Sequence, residues 1–115
     1  MSAADPIRLN RPLILETLER VEDGAGGYSE SWTTLGTLWA EVRARSGRES
    51  AGAAAPLSTV PYIITVRAAP FDAPSRPRAG QRFRSGSRLF PILAVAEDDP
   101  GERYLTCFTQ EEIVA

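Results

Sequence analysis

Glycine and proline, nine of each in 115 residues, cut this chain into short segments, most of them rich in β-branched and aromatic residues. Val60-Pro-Tyr-Ile-Ile-Thr-Val-Arg67 is the clearest strand, and Pro61 near its start is tolerable on an edge or at a first position, where no ladder hydrogen bond is lost. Gln81–Arg84 and Arg88–Ala96 flank Ser85-Gly86-Ser87, a hairpin signature. Glu97-Asp98-Asp99-Pro100-Gly101 reads as a type I or II turn, from which Arg103–Phe108 returns as the last strand, followed by a short acidic tail. Near the start, Gly24, Gly26 and Gly27 follow Asp23 and supply the positive φ that a tight reversal needs. Tyr28–Leu35 and Leu38–Arg45 then give two strands separated by Leu35-Gly36-Thr37. The segment Leu13–Val21 fits either a strand or a short helix; the glycine turn and Trp segments after it favour a strand.

These elements predict a mainly β, small single-domain barrel or sandwich of about six to seven short strands. Residues 1–10 read as an extended N-terminal arm and residues 11–115 as the domain. The expected core is Trp32, Val42, Ile64, Phe83, Phe90, Ile92 and Leu105. In the segment from Leu38, period-two alternation sets Leu38, Ala40, Val42 and Ala44 on one face and Trp39, Glu41, Arg43 and Arg45 on the other. A tryptophan among charges suits a residue that shields a barrel end or a neighbouring subunit. Two connections stand out. Residues 46–59, SGRESAGAAAPLST, are dominated by small residues and form a long loop. Residues 68–80 carry Pro70, Pro74 and Pro77 and must also be a connection.

Composition narrows the function classes. The chain has no His and no Lys, so all 13 positive charges are Arg. The commonest general base, the commonest metal ligand and the usual Schiff-base lysine are missing, and no carboxylate motif takes their place. The expectation is therefore no enzyme, no catalytic residue, no metal site and no cofactor. A net charge of −2 argues against bulk attraction to nucleic acid. No apolar run approaches the roughly 20 residues that span a bilayer, and the first residues lack a signal peptide's apolar centre. The single Cys107 reads as a small buried strand residue. These features point to a protein made in a cytoplasm, with no membrane partner.

Charge is unevenly laid out. Arg76, Arg78, Arg82, Arg84 and Arg88 have no acid among them, whereas Glu97, Asp98, Asp99, Glu102, Glu111 and Glu112 dominate the end of the chain. Solvated faces are one reading of this. A head-to-tail contact between subunits, basic side against acidic side, is the other. On the second reading the contact residues are Arg76, Arg78, Arg82, Glu97, Asp98 and Asp99, while Arg48, Glu49, Ser50, Ala53 and Leu57 of the long loop are candidates for contacts with an adjacent ring.

Arg11-Pro-Leu13-Ile-Leu15, Asp23 and its glycines, Trp32, Trp39-Ala40-x-Val42 and Ser46-Gly47-Arg48-Glu49 follow one another along the first half of the chain. Tyr62–Arg67 and Gly86-Ser-Arg-Leu-Phe90-x-Ile92-x-x-Val95 come next, then an acidic turn, Arg103 and an alternating last strand. In the order and spacing of these segments, and in total length, the chain resembles the phage head–tail joining (head-closure, or stopper) proteins, including those of gene transfer agents. The loop after Glu49 is richer in Ala and Gly than is usual there, and residues 68–80 are unusually rich in proline. The resemblance implies a β-barrel subunit of a homo-oligomeric ring, six-fold or twelve-fold, in the neck of a virion assembled in the bacterial cytoplasm. The implied partners are a portal adaptor on the head side and a tail terminator or tail-tube protein on the tail side. Double-stranded DNA would pass through the lumen without sequence-specific binding. The alternatives are a tail terminator ring and a free-standing β-barrel binding module.

Overall fold

The computed structural model describes residues 6–45 and 59–112. Six strands follow one another: β1 (Arg11–Glu22), β2 (Tyr28–Ala44), β3 (Thr59–Arg67), β4 (Arg82–Ser85), β5 (Arg88–Ala96) and β6 (Tyr104–Glu112). They close into a barrel in the order β1-β2-β3-β6-β5-β4, with every neighbouring pair antiparallel. Closure comes from Ile14, Leu15 and Glu16 of β1 pairing with Arg84, Phe83 and Arg82 of β4. A barrel leaves no sheet edge where it is closed, which resolves the edge problem for most of a small domain.

Alternation puts one side chain in two inside. Leu13, Leu15, Ala40, Ile64, Val66, Phe83, Phe90, Leu105 and Cys107 have no exposed surface, and Ile92 is buried with them. Phe83 and Phe90 are a directly opposed cross-strand pair, and Tyr62 meets Phe90 edge-on at 5.4 Å between ring centres. Val42 is partly buried against this core. Burial pushes the Cys107 thiol up to about 12, so it stays protonated and unreactive at neutral pH.

The strands differ from the sequence expectation in three ways. Tyr28–Leu35 and Leu38–Arg45 are a single 17-residue strand, and the apparent break between them is a β-bulge. Leu15 pairs with Gly36 but Glu16 pairs with Thr34, so Leu35 is the extra residue. That extra residue inverts the alternation. Leu38 and Ala40 face the core, whereas Trp32 falls on the outer face, opposite Leu18. Trp32, expected in the core, is therefore 36% exposed. The last strand continues to Glu112, because Thr109–Glu112 pair with Thr59–Tyr62 rather than forming a tail.

The β4–β5 hairpin closes through Gly86-Ser87 alone, since Ser85 pairs with Arg88. Gly86 has φ of 61° while Ser87 is not in the positive region, which makes the turn type II′. Gly86→Ala should cost about 1–2 kcal/mol of stability, read as a lower thermal midpoint with an otherwise native spectrum.

Candidate functional site

Several of the charges that looked segregated in sequence, Arg82, Arg84, Arg88 and Glu111, are paired across the barrel wall. Glu16, on the outer face of β1 and only 5% exposed, takes Arg82 Nε on one carboxylate oxygen at 2.7 Å and Arg84 Nε on the other at 2.9 Å. The Arg82 guanidinium lies over the Trp32 ring at 4.0 Å, closing the cluster from above. On β6, Glu111 accepts Arg88 Nε at 2.6 Å and a second guanidinium nitrogen at 3.0 Å, a bidentate pair that also reaches the Tyr62 hydroxyl. Burial by itself raises the Glu16 pKa, but the hydrogen bonds from Arg84 and Arg82 outweigh it and leave a net depression. Glu111 is depressed chiefly by its hydrogen bonds from Arg88.

Both carboxylates hold a proton less tightly folded than unfolded. Their contribution is complete above the unfolded carboxylate pKa and is lost as pH falls through the depressed folded values. The thermal midpoint should drop between about pH 5 and about pH 3. The combined Glu16→Gln and Glu111→Gln variant should lose less over the same interval, measured by circular dichroism.

The proline-rich connection and the acidic turn are also tied down internally. Arg76 is 8% exposed; it donates to the Ala69 carbonyl at 2.9 Å, covers the Phe71 ring at 3.8 Å and reaches Glu97 at 3.5 Å. Arg78 donates to the Phe71 carbonyl, and its backbone N–H is taken by Gln81 at 2.9 Å. Asp98 accepts the Thr106 hydroxyl at 2.8 Å, and Asp99 accepts the Arg103 N–H at 2.7 Å, holding the turn in which Glu102 has φ of 55°. Asp99 is thereby held below the usual carboxylate range.

The expected basic and acidic contact sides thus change character. Arg76, Arg82 and Asp99 are largely engaged within their own subunit, and Glu97 and Asp98 are exposed acids with internal partners. Among the described residues, this pairing turns Arg76 and Arg82 toward partners within the subunit. Arg48, Glu49, Ser50, Ala53 and Leu57 lie outside the described residues.

What remains open is of a different kind. Among the described residues, β1 beyond Glu16 pairs only with β2, and β2 before Ala40 pairs only with β1. Residues 17–33 therefore form a two-stranded ribbon standing off the barrel, turned at its tip by Gly24 and Gly26 with Asp23 capping the N–H groups of Ala25 and Gly27. The ribbon shows Leu18, Val21, Tyr28 and Trp32 to solvent. On the barrel, near the Arg11 end of β1 where Pro12 pairs with Trp39, a cavity of about 450 Å³ is lined by Leu9, Leu38, Trp39, Arg67, Ala68, Ala69 and Ser75. Trp39 is 57% exposed there, in keeping with its place among charged residues in the sequence. The ribbon left no sequence signal of its own, because its exposed aromatics resemble core residues until the bulge is known. Among the described residues, no group of three or more His, Cys, Asp or Glu side chains is placed to hold a metal ion.

A family model described as phage head completion protein matches residues 4–112. Among solved structures, a chain of the virion of a native gene transfer agent particle is 56% identical, with a TM-score of 0.78 over 94% of this chain and 98% of that one. A Shigella flexneri 2a protein solved in solution is 26% identical, with a TM-score of 0.67 over 94% and 96% of the two chains. No curated protein matches the chain.

Proposed function

The chain belongs to the phage head completion protein family, and from that membership we propose that it is a structural subunit of the virion neck that completes the DNA-filled head and joins it to the tail. The observation that carries this reading is the 56% identical chain in a gene transfer agent virion, matched over nearly the full length of both chains. At that identity the two share a fold and, on this reading, a place in the particle. In the proposed role the subunits form a ring below the portal and its adaptor. The ring holds packaged DNA in the head and offers the tail its docking surface.

The physical character of the chain agrees with such a role. The net charge of −2 gives no bulk attraction to a polyanion, and Arg82, Arg84 and Arg88 are engaged by carboxylates of their own subunit. DNA would slide past rather than bind. A closed barrel is rigid enough to hold its place in a ring, while a ribbon outside the barrel supplies contact area that the core does not need. No catalytic step belongs to this function.

A tag fused after Ala115 should appear in cryo-electron images of intact particles as added density at the head–tail junction. Density along the tail tube, or no incorporation into particles, would count against the proposal. A tail terminator at the top of the tube would occupy a neighbouring position, and the two are separated by the particles formed in the protein's absence.

A further inference from the structure

We propose that the β1–β2 ribbon of one subunit docks in the Trp39 groove of a second copy of the same chain, a head-to-tail contact that repeats around a closed ring. The proposal deepens the neck reading and rests on it. Three observations converge.

First, ribbon and groove are complementary in charge. Residues 17–33 carry Glu19, Glu22, Asp23 and Glu30 against Arg20 alone, a net −3 from four acids and one base. Asp23 is turned to its own backbone and Arg20 lies over Tyr28, which leaves the three glutamates facing solvent. The groove carries Arg67, exposed and without an ion pair among the described residues, and Arg8 lies exposed beside the lining Leu9. Complementary charge of this kind fixes register and partner.

Second, both surfaces expose large apolar side chains that a lone subunit has no reason to present: Leu18, Val21 and Tyr28 on the ribbon, Trp39 in the groove. Aromatic residues in a concave site are the usual anchors of a protein interface.

Third, the ribbon's backbone is unpaired on both sides. Among the described residues, neither Thr17–Glu22 nor Tyr28–Trp39 meets a strand on its outer edge. Edges of that length ask for cover. The two surfaces are separate patches of one chain, so the contact can repeat head to tail from subunit to subunit and close into a ring.

A benzophenone-bearing residue in place of Ala69, incorporated into the full chain in particle-producing cells and photolysed in purified particles, tests this directly. Expected is a ladder of covalent multimers whose cross-links map to residues 17–33 of another copy. Cross-links to a different virion protein alone, to another region of this chain, or none from protein present in the particle would overturn the docking while leaving the neck role standing. Particles that lack the protein yet hold DNA and tails would remove the neck role, and the docking with it. As a second measurement, Arg67→Glu should lower incorporation on the order of tenfold or more without shifting the thermal midpoint of the free subunit. Adding Glu19→Arg and Glu22→Arg to that variant should restore it, and failure of the exchange to restore incorporation would contradict the pairing of these two surfaces.

Discussion

Replacing Phe83 by alanine is expected to lower the stability of the free subunit by about 3–5 kcal/mol, the largest effect of any single substitution considered. Phe83 has no exposed surface and stands where the barrel closes, opposite Leu15 of β1 on one side and Phe90 of β5 on the other. β4 is only four residues long, so it has little else to hold it between its neighbours. Truncation removes the transfer free energy of the ring and leaves a cavity among strands whose backbones are locked in register. A small domain has a total stability of about 5–15 kcal/mol, so the variant should be close to its unfolding midpoint in mild urea. Leu93→Ala, at a bulged position of β5 that is 56% exposed, is the control and should change stability by no more than about 0.5 kcal/mol. Equal urea midpoints for the two variants would show that the closing strand does not carry the barrel.

The second large effect lies on the outer wall. Glu16→Leu removes the one acid facing both Arg82 and Arg84, and should destabilise by about 2–4 kcal/mol, short of the full penalty for a fully buried pair because both guanidiniums keep some exposure. The loss arises from two arginines left close together in a half-buried place. It should therefore shrink, or reverse, when they are replaced as well. The triple variant E16L/R82M/R84M is expected to recover most of the lost stability, since methionine fills the same space and packs on the Trp32 ring. Chemical denaturation of the wild type, the single and the triple variant settles it. A triple variant less stable than the single one would mean that the ionic cluster, and not its packing, holds this face of the barrel.

Much of the fold was legible because strand signals are local. The β-branched run of β3, the Gly86 turn and the alternation of β5 and β6 each state their own conformation, and Ile64, Phe90, Ile92 and Leu105 are apolar in phase with their strands. The bulge was not legible. Leu35-Gly36-Thr37 looks like a break between strands, and only pairing with β1 reveals one continuous strand with an inserted residue. That residue decides the fate of Trp32, which keeps the phase of Ala40 in sequence and loses it in space. The charges failed for a related reason. Glu16 is separated from Arg82 and Arg84 by most of the chain, so linear charge blocks say nothing about which acid closes on which base. Trp39 was the exception. Its place among Glu41, Arg43 and Arg45 marked an outward aromatic, and it is exposed.

The central claim is that this chain completes filled heads and joins them to tails. Electron imaging of particles from cells lacking the gene tests it most directly. The account predicts emptied or leaking heads beside separate, finished tails of normal length. Filled heads joined to normal tails would contradict it, and filled, stable heads beside tails of uncontrolled length would assign the protein to the top of the tail tube instead.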